Sequence, residues 1–142
     1  MKFKFSLDPV LKVRKHQEKM QKQKLAEEVS RQQQINELCE EVEGKLNNYL
    51  KHSDEKEAKS LHEIRRHTSH LEMVHQRMVN LTQELDKASD KVRAEREKLA
   101  DAHKKLHIME KVRDFEHTLF SERMSKEEQK FLDEIATQSF SK

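Results

Sequence analysis

The chain has 142 residues, 33% of them hydrophobic and 39% charged, with a formal net charge of +2; that is too little apolar material for a globular core but enough for a narrow seam between long helices. A single glycine, Gly44, and a single proline, Pro9, exclude a turn-rich domain and a phosphate-cradling loop, because both draw on those residues for special backbone angles. Near-neutral charge and regularly spaced apolar residues argue against disorder.

In chain order, the first signal is Asp8-Pro9. It predicts a helix start with Asp8 as N-cap and Pro9 at the first helical position, where a missing N–H costs nothing. Leu7, Val10, Leu11, Val13 and Arg14 begin an amphipathic face that thins around Met20 and resumes at Leu25 and Val29. It becomes regular at Ile35, Cys39, Val42, Leu46 and Tyr49, in alternating steps of four and three. Gly44 falls inside this run without disturbing its register and is expected mid-helix, at a cost of about 1 kcal/mol. The lone Cys39 has no partner for an internal disulfide, which fits a reducing compartment, with the cytoplasm as default. Residues 1–20 lack the apolar core of a signal peptide, and no apolar run approaches the length of a membrane span, so neither general secretion nor membrane embedding is expected.

A turn is predicted at 51–60 (KHSDEKEAKS), which has only Ala58 as an apolar residue and ends in the capping-box string Ser60-x-x-Glu63. Helix one then covers about residues 9–50 and helix two about 61–139, roughly 63 and 120 Å long at the usual rise per residue. The strongest periodic signal is Met78, Leu81, Leu85, Ala88, Val92, Glu95, Leu99, Ala102, Leu106 and Met109, in which Glu95 alone is not apolar. Near Ile108 the stripe shifts to Ile108, Val112, Phe115 and Leu119, in the manner of a stutter. Ser125-x-x-Glu128 marks a possible kink ahead of Phe131, Leu132, Ile135 and Phe140. The expected fold class is all-α, a single-domain antiparallel two-helix coiled-coil hairpin with unequal arms. Pro9 would lie beside residue 102, and everything past residue 105 would overhang, with all six phenylalanines (Phe3, Phe5, Phe115, Phe120, Phe131 and Phe140) gathered at that end. A continuous helix in a parallel dimer is the alternative.

No arrangement of nucleophile, acid and base stands out, and a two-helix rod offers no water-excluding pocket, so the chain is not expected to be an enzyme or to hold a cofactor. His103-x-x-x-His107 with Glu110 has helical metal-ligand spacing but lacks a fourth ligand, and is read as exposed residues beside the seam rather than a metal site. His62, His67, His70 and His75 are read as a polar face whose charge varies between pH 5 and 7. Residues 1–25 carry eight Lys/Arg against Asp8 and Glu18, whereas residues 26–43 carry six Glu against Arg31. This basic end is read first as a solvated helix end, with docking to an acidic partner or nucleic acid as the sharper alternative.

Both ends carry a family pattern. The N-terminus reads Phe3-Lys4-Phe5-x-Leu7-x-x-Val10-Leu11-x-x-Arg14 with Glu18 and Leu25-Ala26-Glu27; the C-terminus reads Glu127-Glu128-Gln129-Lys130-x-Leu132-Asp133-Glu134-x-Ala136 with Phe140. These strings resemble the opening and closing patterns of the flagellar export protein FliJ family. The resemblance implies a non-enzymatic component of the flagellar type III export apparatus, a coiled-coil stalk and chaperone that inserts into and stimulates the hexameric export ATPase. It also implies contacts with the export gate membrane protein and with export chaperones, and a cytoplasmic place at the inner face of the membrane at the flagellar base, reached through partners alone. By motif match, Phe5, Leu7, Leu11, Arg14, Leu132, Glu134 and Phe140 are the expected ATPase-facing set. Leu61, Ile64, Leu71 and Val74, past the turn, are the expected gate-facing set. An injectisome stalk, or a basic coiled-coil scaffold binding nucleic acid, are the alternatives at this point; no nucleic acid is expected on the favoured reading.

Overall fold

The computed structural model describes residues 2–54 and 60–141, and in them the only regular elements are two helices, α1 (Asp8–Asp54) and α2 (Leu61–Phe140). The two helices pack against each other, so the fold is an all-α helical hairpin. Of the expected turn, residues 51–54 continue α1, Ser60 precedes α2, and 55–59 lie outside the described residues. Good helix formers dominate both sequences. Surface pairs such as Asp8–Lys12 at 3.1 Å and Glu41–Lys45 at 3.1 Å add a few tenths of a kcal/mol each.

The helix starts differ in how their orphan N–H groups are met. Leu11 N–H donates to the Leu7 carbonyl at 3.0 Å, which makes Leu7 the N-cap and moves Asp8 into the first turn. Asp8 therefore acts through the helix dipole and its ion pair with Lys12 rather than as the cap. Pro9 still sits where no intrahelical N–H is needed. At α2, Ser60 is the cap, its Oγ accepting from the Glu63 N–H at 3.2 Å. No break interrupts α2 at Ser125.

The chain divides into two units, and each is built on its own stretch of both helices. Unit 2 is Gln21–Lys98. Its α1 seam runs through Leu25, Val29, Gln32, Ile35, Cys39, Val42, Leu46 and Tyr49; its α2 seam runs through His67, Leu71, Val74, Met78, Leu81, Leu85, Ala88, Val92 and Glu95. Leu81, Ala88 and Val92 are the buried centre. Gly44 lies in mid-helix, with open space where a Cβ would stand. Polar seam positions are matched across the pair: the Gln21 amide donates to the Glu95 carboxylate and, at 3.3 Å, to the Glu95 carbonyl, and Gln32 donates to Ser89 Oγ at 3.0 Å. These bonds explain how Glu95 occupies an otherwise apolar stripe. The Gln21 bond is the largest influence on the Glu95 pKa and lowers it; burial opposes that shift, and the Lys98 ammonium at 3.3 Å adds to it.

Unit 1 combines residues 1–20 with 99–142. Its α1 seam is Leu11, Arg14 and Glu18, and its α2 seam is Leu99, Ala102, Leu106, Met109, Arg113, Glu116 and Phe120. The thinning seen in the sequence around Met20 is thus a change of chemistry and not a gap, since Glu18 is 8% exposed and lies 3.4 Å from His103. Ser6 Oγ donates to Glu116 at 3.0 Å, and Phe3 packs edge-on against His117 and, tilted, on Phe120, with centroids 5.0 and 5.5 Å away. Between the Ser6–Glu116 and Glu18–His103 links, Pro9 comes opposite the turn near Val112 and Arg113 rather than beside Ala102. The overhang is correspondingly shorter than expected. Residues 125–141 are exposed throughout, whereas Phe120 and Met124 are half-buried.

Of the shifted stripe Ile108, Val112, Phe115 and Leu119, only Val112 is half-buried. The covered register continues through Met109, Arg113, Glu116 and Phe120, leaving Ile108, Phe115 and Leu119 exposed one place before the seam positions. Packing here follows the helix partner and not the stripe.

Candidate functional site

The seven residues expected to face an ATPase all fall in unit 1, but they are not equivalent. Leu11 is 2% exposed and belongs to the core. Phe5 and Arg14 are half-buried, Arg14 donating to Gln17 at 3.3 Å, and Leu7 is exposed at the start of α1. Leu132, Glu134 and Phe140 lie on the fully exposed last turns of α2, Phe140 at 90%. Phe131 and Ile135, named in the sequence but outside that set, are exposed beside them. At i, i+1 and i+4 these side chains make an apolar surface on a helix that nothing in unit 1 covers.

The four residues expected to face an export gate fall in unit 2 and split in a similar way. Leu61 and Ile64 are exposed on the first turn of α2, and Leu71 and Val74 are half-buried seam residues. Val74 also lines an open groove of about 420 Å³ with Leu38, Val42, Leu46 and His70, rimmed by Glu41, Lys45 and Arg77. The α1 side of this groove was not singled out in the sequence, because Val42 and Leu46 read simply as seam residues. An apolar Leu38, one place before Cys39 and outside the seam spacing, was the available signal.

Near that groove lies a ring cluster that periodicity did not suggest. Tyr49 OH lies 2.7 Å from His67 Nδ1, with the two rings stacked 5.2 Å apart, and His70 is tilted against Tyr49 at 4.4 Å. His67 is half-buried and thus serves as a seam residue, in contrast to the polar face expected of this histidine group. His62, by comparison, meets Arg66 at 2.9 Å on the surface. The His103 and His107 rings are stacked 6.5 Å apart, and among the described residues no three ligating side chains converge on a metal-binding arrangement. No described helix is long and apolar enough to cross a membrane.

What this arrangement does is present surface. Its grooves are open and its apolar side chains stand on helix flanks, a geometry suited to seating a helix or a side chain of another protein. The class that the fold defines is the all-α helical hairpin. More particularly, the model of the family described as "Flagellar FliJ protein" matches residues 3–142, and the chain belongs to that family. Membership associates it with flagellar type III export and with a non-enzymatic component of that system. No curated protein and no solved structure matches the chain.

Proposed function

We propose that the chain is the stalk of a flagellar export ATPase: a non-enzymatic helical hairpin that inserts into the hexameric ring, stimulates hydrolysis, and links the ring to the export gate and to substrate chaperones. The observation that carries this reading is the uncovered end of α2, where Phe131, Leu132, Ile135 and Phe140 stand exposed on a helix without a partner in the described residues. Leaving four large apolar side chains in water forgoes roughly 1.5–3 kcal/mol for each that could have been buried, which favours a surface completed by another protein. Leu132 and Phe140 act as apolar anchors, with Glu134 orienting them; Leu7, Phe5 and Arg14 extend the contact from the N-terminal side, and Leu11 supports it from within the core. On the same reading the gate contact is made in unit 2, by Val74 and its groove together with Leu61, Ile64 and Leu71.

Addition of the full chain to purified hexameric export ATPase is expected to raise its hydrolysis rate, and a chain ending before Ser125 is expected to leave the rate at its basal value. Absence of stimulation by the full chain would overturn the stalk reading.

A further inference from the structure

In an antiparallel pair of right-handed helices, the residues one place before the seam positions of both partners lie on the same side of the pair. The unit 2 groove illustrates this: Leu38, Glu41 and Lys45 precede Cys39, Val42 and Leu46, and they share one groove with His70 and Arg77, which precede Leu71 and Met78. In unit 1 the corresponding residues are Val10 and Val13 on α1 and Ile108, Val112, Phe115 and Leu119 on α2. All are exposed except the half-buried Val112, with Phe115 at 65%. Val10 and Val13 line an open groove with Arg14 and Gln17, and Leu119 lines another with Phe3, Lys4, Glu116 and Arg123. The result is a lateral apolar face distinct from the end of α2. Along α2 it runs twelve residues from Ile108 to Leu119, about 17 Å or three turns.

The charges at its margin are mostly of one sign. Lys105 precedes Leu106 and Arg123 precedes Met124 on the same side, with Lys4 and Arg14 on the groove walls; the acids are Asp101, which precedes Ala102, and Glu116, which lines the groove of Lys4 and Arg123 and accepts from Ser6 Oγ. Among the described residues no carboxylate pairs with Lys4, Lys105 or Arg123. An apolar strip three turns long between basic margins is complementary to one kind of ligand in particular, an amphipathic helix whose apolar stripe is flanked by carboxylates. We infer that this lateral face of unit 1 is a docking site for an acidic amphipathic helix of a partner protein, which would lie along α1 and α2 as a third helix. The inference does not rest on the ATPase contact.

The test uses the full chain and a fluorophore-labelled synthetic peptide of about 14 residues, with leucines at i, i+3, i+4 and i+7 and glutamates on both flanks, read by fluorescence anisotropy. Saturable binding is expected, weakened by about tenfold or more in the Ile108→Asp/Phe115→Asp variant, weakened by Lys105→Glu/Arg123→Glu and by added salt, and absent for the same peptide with lysine in place of glutamate. Both altered pairs lie on the surface, and circular dichroism of each variant should match the parent. Failure of the acidic peptide to bind, equal binding to the aspartate variant, or equal binding of the lysine peptide would overturn the inference. So would a parent dimer in sedimentation that Ile108→Asp/Phe115→Asp converts to monomer, because the face would then belong to a second copy of this chain. None of these readouts involves an ATPase, so their failure is separate from failure of the stalk reading.

Discussion

Unit 1 is the smaller of the two units, yet among the described residues it holds eleven of the exposed large hydrophobic side chains, against five in unit 2. The seams differ in the complementary sense. In unit 2 the covered positions are mainly Leu, Ile, Val and Met, with Gln32 and Glu95 hydrogen-bonded to partners. In unit 1 several covered positions are Arg14, Glu18, Arg113 and Glu116, while Val13 and Phe115 stand exposed one place to the outside. A one-place offset on a helix turns a side chain about 100°, enough to move it from core to flank. Unit 2 thus uses its apolar residues to hold two helices together, and unit 1 uses a large share of them as surface. The phase of the apolar stripe against the seam therefore differs between the units.

The sharpest way to break this contrast is inside unit 1 itself. Leu11→Ala removes its most buried side chain and is expected to cost about 2–3 kcal/mol in urea unfolding, whereas Phe140→Ala should stay within about 0.5 kcal/mol of the parent. Comparable losses for both would mean that the end of α2 is not free. In unit 2, Gly44→Ala adds a Cβ where no atom lies within 4 Å, on an exposed mid-helix position, and should stabilise by about 0.5–1 kcal/mol, raising the thermal midpoint. A lowered midpoint would place Gly44 in a contact that the packing does not contain.

The smallest effect concerns the polar seam of unit 2. Because the Gln21 bond, followed by Lys98, lowers the pKa of Glu95 in the folded chain, the unfolded chain binds the extra proton first as pH falls. The contribution of the Glu95 carboxylate is therefore present above its ordinary pKa of 4.5 and fades as pH drops through the lower folded value. Urea midpoints for the parent and for Glu95→Gln should accordingly converge between neutral pH and about pH 3. A gap that widens on acidification would contradict the hydrogen-bond assignment.

Much of the fold was legible because apolar periodicity reports a seam directly when the seam is apolar: Met78 to Met109 on α2 and Ile35 to Tyr49 on α1 are covered as their spacing predicts. Where polar residues fill the seam, the same signal misleads. The stretch around Met20, where Glu18 and Gln21 fill the seam, looked like a fading face, and Ile108, Val112, Phe115, Leu119 looked like a shifted one, because sequence records which residues are apolar and only the partner helix decides which side is covered. Leu7 in place of Asp8 as the N-cap is a difference of one backbone hydrogen bond. The Tyr49–His67–His70 cluster joins residues eighteen or more apart, a pairing that depends on the hairpin register and leaves no local trace. Of the motif-matched residues, Leu132, Glu134 and Phe140 are each exposed on the last turns of α2, Glu134 on the side away from Leu132, while Leu11 was an anchor in the pattern and is a core residue in the fold.

The most direct test of the stalk account is the double variant Phe131→Asp/Leu132→Asp, measured for both thermal unfolding and stimulation of the export ATPase. The account predicts an unchanged unfolding midpoint, since neither side chain is buried, together with loss of stimulation. Full stimulation by a variant that unfolds at the parent temperature would contradict it.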